Sequence, residues 1–456
     1  MYQSSIKYGE KFVILRPKIE IHMFEYHTLT LPSGLRIVHQ ETDSRVGYCG
    51  FMVDCGTRHE QAPSQYGIAH FIEHILFKGT TSRDAWHINQ RMESVGGELN
   101  AFTTKEDTTF YSAFLASDFP RACELLCDLL CHPTAPQHEL EKEQEVVVEE
   151  IESYRDNPAE LIYDVFEDRL FAGSSLGHNI LGNEETVRSF DHVTCMEFIH
   201  QNYTPDRMVF FAYGSMKWEQ VKRLVEKSFK APHNPHNVGL RDGSEGLGES
   251  SEGLGESFEG LRECSEGLRE GLLGEGPVVA GGSRHQSHCM LGCRTYPIGH
   301  ANAATLALIN NILGGPGMNS RLNQQLREKR GLVYTVESSI TTFTDTGYFS
   351  IYFGCDHGDR DYCLRLCRKE LKRIAETPLS QRQLETAKKQ LKGQLGIGTA
   401  NLENNALALA KQIMRRGAIE SLEETCARID AVTTEQVQTV ASELFAADRL
   451  VTVVLA

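Results

Sequence analysis

The five residues His70-Phe-Ile-Glu-His74 constrain this chain more than any other segment. Two imidazoles four positions apart rise from adjacent turns of one helix face, close enough to grip one ion. Glu73 stands beside them, within reach of a water held by the same ion. The flanking Ile68, Ala69, Phe71, Ile72, Ile75, Leu76 and Phe77 are apolar, so the segment reads as a buried helix. An amphipathic surface helix would show such a triplet by chance, but a buried one cannot carry it unpartnered. Sinking two histidines and a carboxylate into a core costs desolvation energy that an ion or close partners must offset. The pattern therefore implies a metal-dependent hydrolase.

A catalytic zinc takes three protein ligands and keeps one position open. The third ligand is sought in the acidic helix expected from about Pro136 to Tyr154. Its apolar stripe is Leu140, Val147, Ile151 and Tyr154, and at 100° per residue Glu143 and Glu150 flank that stripe on one side. Glu145 and Glu149 point the other way. Glu150 is thus the expected third ligand, and Glu143 an acid that orients one of the histidines.

The ordering H-x-x-E-H is that of the inverzincins. The segments Tyr66–Thr80, Gly96-Gly-Glu-Leu-Asn-Ala-Phe-Thr103 and Val146-Val-Val-Glu-Glu-Ile151 resemble the pitrilysin family of zinc peptidases. The likeness is to its half-length branch, which includes the mitochondrial processing peptidase and bacterial relatives. Ser175-Leu-Gly-His-Asn-Ile-Leu-Gly182, Asn202-Tyr-Thr-Pro-Asp-Arg-Met208 and the run Ser320–Tyr334 extend the resemblance from about Leu29 to the C-terminus, one insert excepted. It implies one Zn2+ per chain held by His70, His74 and Glu150, with Glu73 as general base and Glu143 behind the ligands. It further implies that Arg327 and Tyr334 reach over the substrate toward the scissile carbonyl. Asn100 and Ala101 match a strand edge on which relatives lay a peptide as an added strand, a mode that makes little demand on sequence.

The chain repeats itself. Asp191-His-Val-Thr, a helical stretch and Asp206-Arg-Met-Val recur as Asp430-Ala-Val-Thr, a helical stretch and Asp448-Arg-Leu-Val. Glu73-His-Ile-Leu has a counterpart in Asn310-Asn-Ile-Leu313, where Ala307, Asn310 and Asn311 stand for His70, Glu73 and His74. An ancient duplication is expected: an α+β fold of two like domains, each a mostly antiparallel sheet packed with helices, together half of a clamshell chamber. Only the first keeps the metal groups. The expected boundaries are a catalytic domain at 1–238, a linker at 239–283 and a metal-free domain at 284–456.

The linker assignment rests on a seven-residue unit run four times from Ser244: SEGLGES twice, FEGLREC and SEGLREG. Each unit has glycine at fixed points and one leucine, too little for a coiled-coil seam, so an acidic linker is the reading. From Leu240 to Gly276 ten acids face three arginines, a net of −7 within the chain total of −16. That balance disfavours nucleic acid and suits basic peptides. The 456 residues exceed one core, and no run approaches the roughly 18 apolar residues of a membrane span. The short Phe12-Val-Ile-Leu15 is no secretory signal, and thirteen cysteines read as reduced thiols, so a cytoplasmic protein is expected. Cys123, Cys127 and Cys131 line one helix face among leucines and read as packed thiols rather than a second metal site.

The function expected is a zinc endopeptidase acting on unfolded or short peptides, basic ones included. A half-length chain needs a second half, so a homodimer or a pair with a related half-length subunit is expected. The alternative is a non-catalytic binding or assembly subunit of the same family.

Overall fold

The computed structural model describes residues 26–230, 278–280 and 286–456. The heptapeptide repeat lies outside the described residues. The elements form two sheets whose strand orders superpose one on the other. In the first, β1 (Tyr26–Thr30), β2 (Arg36–Glu41), β3 (Val46–Val53), β4 (Glu98–Thr103), β5 (Thr108–Leu115) and β6 (Met208–Gly214) lie in the order β1-β2-β6-β3-β5-β4. In the second, β7 (Val278–Ala280), β8 (Ser287–Thr295), β9 (Val333–Thr342), β10 (Gly347–Cys355) and β11 (Val451–Leu455) lie in the order β7-β11-β8-β10-β9.

Setting β1 aside, each strand of the first sheet has a counterpart in the second. The parallel pair β2 and β6 matches the parallel pair β7 and β11, and every other pairing is antiparallel. The duplication expected from the repeated motifs is thus present as topology. One boundary shifts: Val278–Ala280, inside the span assigned to the linker, pairs with Val453–Leu455 as a strand of the second sheet.

Helices cover both faces. In the first half, α1 (Ile68–Leu76), α3 (Phe119–Cys131) and α7 (His192–Asn202) join the sheet in one core, with Phe51, Phe71, Phe110, Phe119 and Phe198 at its centre. Cys123, Cys127 and Cys131 are buried in it as free thiols. In the second half, α9 (Ala303–Gly314) occupies the place of α1, between β8 and β9, as the Asn310-Asn-Ile-Leu match requires. The outer face of each sheet is covered by the other half. Helix α5 (Pro158–Leu170) places Ile162 and Phe166 on Met290, Val453 and Leu455 of the second sheet. Reciprocally α12 (Leu402–Arg416) lays Ala406, Leu409, Ala410 and Ile413 on Val38, Val209 and Phe211 of the first.

Between the halves runs a chain of charges, buried at Arg415, Glu106 and Asp107 and reaching the surface at Asp54 and Asp345. Arg415, on α12, is 5% exposed; it bonds Asp54 Oδ1 at 2.5 Å and Asp107 Oδ2 at 3.0 Å. Arg58 bonds Glu106 at 2.6 Å and Asp345 of the second half at 2.8 Å. Glu106 and Asp107 form the turn between β4 and β5, so the second half clamps the hairpin that borders the histidine pair.

Candidate metal centre

The histidine helix begins at Gly67, whose φ of +94° no other residue adopts at ease; a Cβ there would meet the Leu181 carbonyl at 2.5 Å. Glu60 holds this end. Its carboxylate accepts from the Gly67 and Ala69 amides at 3.0 and 2.9 Å and from His178 Nε2 at 2.9 Å. An acid at a helix N-terminus satisfies free amides and favours the helix dipole. His178 belongs to the Ser175–Gly182 motif and stacks on Tyr66, ring centroids 4.0 Å apart.

From α1, His70 and His74 face α4 (Gln137–Arg155). Both Nε2 atoms look toward Glu150 Oε2, at 3.8 Å from His70 and 3.6 Å from His74. One donor atom from each of the three residues lies within 4.8 Å of the others, the one such His/Cys/Asp/Glu grouping among the described residues. A tetrahedral zinc with bonds of about 2.0–2.1 Å spaces its donors about 3.4 Å apart, so the two distances to Glu150 lie within a few tenths of an ångström of what such an ion needs. Burial and the neighbouring His74 push His70 down to about 3, so it stands as a neutral imidazole with a free lone pair. Its Nδ1 is buried without a partner.

His74 differs. Burial opposes its charged form, but the Glu143 hydrogen bond with the Glu150 and Glu73 charges outweighs this and raises its pKa. Nδ1–H of His74 donates to Glu143 Oε2 at 3.1 Å, which leaves Nε2 as the ligating atom. Glu143 is 5% exposed and also accepts from Lys78 at 2.6 Å. Burial would raise Glu143; its bonds from His74 and Lys78 prevail and hold it below the usual carboxylate range. Replacing Glu143 by Gln should weaken zinc binding by about 10–100-fold, measured by competition against a chelating dye. Unchanged affinity would mean that the contact orients nothing.

Glu73 shares the face. Thr103 Oγ1, at the end of β4, donates to Glu73 Oε2 at 2.6 Å. Burial raises the Glu73 pKa, with Thr103 and His74 pulling the other way. Thr103, Lys78 and His178 lie inside the segments that carry the family resemblance, but motif reasoning assigns them no role, because the contacts that give them one, to Glu73, Glu143 and Glu60, are made only in the fold. Asn100 and Ala101 sit on β4, the edge of the first sheet, whose outer side no described strand pairs.

Among the described residues no hydrogen bond or ion pair joins Arg327 or Tyr334 to His70, His74, Glu73 or Glu150. Arg327 rides a π-helical turn, Asn323–Glu328, in the second half; its one ion pair among the described residues is to Glu328 at 3.9 Å. Tyr334 is the second residue of β9 and is 84% exposed. In the counterpart helix α9, Ala307, Asn310 and Asn311 border a cavity of about 600 Å³ with Gln394 of α11 (Gln381–Gly398). Gln394 stands as far into α11 as Glu150 does into α4, so all four metal-site positions are uncharged in the second half.

Residues 36–184 match the model described as insulinase, peptidase family M16, and residues 195–391 the model described as the M16 inactive domain. A Bacillus subtilis protein named as an uncharacterized zinc protease, YmxG, is 31% identical over 92% of this chain and 95% of its own length. The chain belongs to peptidase family M16. A further relative, named as an uncharacterized zinc protease of Mycobacterium leprae, is 32% identical over 91% of this chain and 88% of its own length. Among solved structures, a protease from Helicobacter pylori superposes with a TM-score of 0.78 at 19% identity, covering 95% of this chain and 99% of that one. An M16 inactive-domain structure from Pseudomonas fluorescens gives 0.78 at 19% identity, covering 94% and 97%. The two solved structures share the fold over nearly the whole chain, both sheets included.

Proposed function

We propose that this chain is a zinc-dependent endopeptidase that hydrolyses unfolded or short peptides, basic ones among them. The observation that carries the reading is the convergence of His70, His74 and Glu150 beside Glu73. The relatives named as zinc proteases support it. A zinc ion held by these three residues supplies Lewis acidity, making water nucleophilic near neutral pH and polarising a carbonyl.

The chain's own residues do the rest. Glu73, its carboxylate held on one oxygen by Thr103, takes the proton of the attacking water and hands it to the departing amine. Glu143 holds His74 as the tautomer whose Nε2 is free. The open edge at Asn100 and Ala101 accepts an extended peptide through backbone hydrogen bonds. Thr103 lies on that same strand, so substrate and base are registered by one element.

Purified protein incubated with a mixed peptide library should cleave it. A chelator should stop cleavage and added zinc restore it. No cleavage by the zinc-loaded protein would favour the alternative of a binding or assembly subunit.

Arg327 and Tyr334 enter through assembly. In a homodimer, or a pair with a related half-length subunit, each chain offers its exposed Arg327 and Tyr334 to the metal site of the other, closing a chamber between them. Mixing Arg327→Ala chains with Glu73→Gln chains should recover activity that neither has alone, since one of the two sites then has both groups. No recovery in a verified mixed dimer would sink the shared-site reading.

A further inference from the structure

On the zinc reading proposed above, we infer that Lys78 is a positioning residue of the metal centre, which acts through Glu143 to set the histidine pair against Glu150.

Lys78 stands four residues past His74, and Glu143 stands two turns before Glu150 on α4. Each oxygen of the Glu143 carboxylate has its own donor: Lys78 Nζ gives to Oε1 at 2.6 Å and His74 Nδ1 to Oε2 at 3.1 Å. The pair therefore ties the end of the histidine helix to the helix that carries the third ligand. The backbone prepares this contact. The Lys78 amide donates to the Ile75 carbonyl at 3.0 Å, which extends the last turn of α1 and keeps the lysine near the histidine face. The Gly79 carbonyl accepts from the Thr134 amide at 3.1 Å, and a Cβ on Gly79 would meet Thr134 Oγ1 at 2.7 Å. The chain that bears Lys78 is thus held against the segment leading into α4.

Glu143 is 5% exposed, and a neutral imidazole alone would leave its charge uncompensated. Lys78 supplies the cation and occupies the oxygen that would otherwise turn the carboxylate toward solvent. With one oxygen fixed, the other stays on His74, and His74 keeps Nε2 on the side of Glu150. The second half shows that the helix pair packs without this contact. By the matches of α1 with α9 and of α4 with α11, Lys78 corresponds to Gly315 and Glu143 to Ala387. Helices α9 and α11 still lie on one another. The ion pair is absent from the half that lacks the metal groups and present in the half that has them, which ties it to the metal centre and not to the fold.

Zinc affinity, measured by competition against a chelating dye, tests this with no peptide present, so a chain without peptidase activity leaves the result standing. Lys78→Met should weaken zinc binding by about 10–100-fold, and Lys78→Arg, which keeps the charge and its donors, should come back to within about threefold of the parent. Cobalt bound in place of zinc should show a shifted visible band in the Met variant and the parent band in the Arg variant, a change of ligand geometry that lost stability alone does not produce. In a Glu143→Gln background Lys78→Met should weaken zinc binding by less than about twofold more, since both substitutions break one contact. Glu143→Gln also removes the charge that Lys78→Met strands, so the double variant keeps the fold even where the single one does not. An unchanged cobalt band in the Met variant, or a double variant that binds zinc far more weakly than Glu143→Gln does, would overturn the positioning role alone. A parent that binds no zinc would end the metal reading and this role with it.

Discussion

Glu73→Gln should cut kcat/KM for peptide hydrolysis by about 10²–10⁴-fold while zinc content stays near that of the parent, because general-base transfer contributes a factor of that size. The amide has the shape of the carboxylate and still accepts the Thr103 hydroxyl, so the β4 edge and the helix keep their places. What it lacks is basicity toward a proton. Since Glu73 is not one of the three grouped donors, metal measured by atomic absorption should not follow the activity down. A variant that cleaves like the parent removes Glu73 from the chemistry. One that loses zinc along with activity makes it a ligand instead of a base.

The second large effect lies far from the metal. Arg415→Met should lower stability by about 3–5 kcal/mol, the usual result of removing one member of a buried ion pair and leaving its partners charged. Asp107, 1% exposed, would keep only Lys411 at 3.8 Å, and Glu106 would lose a cation at 3.9 Å. A fall in the urea midpoint reports this, and a change below about 1 kcal/mol would place the pair among solvated surface bridges. Because Asp107 and Glu106 shape the hairpin that ends in Thr103, some loss of kcat should accompany the loss of stability.

These two residues mark what a linear reading can and cannot supply. Glu73 was legible because helical spacing is local: positions 70, 73 and 74 share a face whatever surrounds them. Glu150 and Glu143 were legible for the same reason, one helix at a time, since the stripe of Leu140, Val147 and Ile151 fixes which way they turn. The internal duplication was legible as repeated motifs, and the two sheets carry it out strand for strand. Arg415 was not legible. It is one of forty-six basic residues, and only the crossing of α12 onto the first sheet tells it from a solvated charge. The exchange of α5 and α12 leaves no mark either, since an amphipathic helix shows that it covers an apolar surface but not whose. That is also why boundaries drawn at 238 and 284 divide the chain by sequence more cleanly than the packing does.

Each sheet therefore takes one of its two coats from the other end of the polypeptide, with Phe166 and Ile413 on opposite sides of the trade. An ancestral single unit would have had a bare sheet and a homeless helix, and a second copy remedies both at once. The present arrangement has the topology of a helix swap carried out within one chain. Halves interlocked in this way hold each other by packed side chains, and chain length between two such units costs little entropy. A sequence as glycine-rich and acidic as SEGLGES can therefore stand between them without threatening either core.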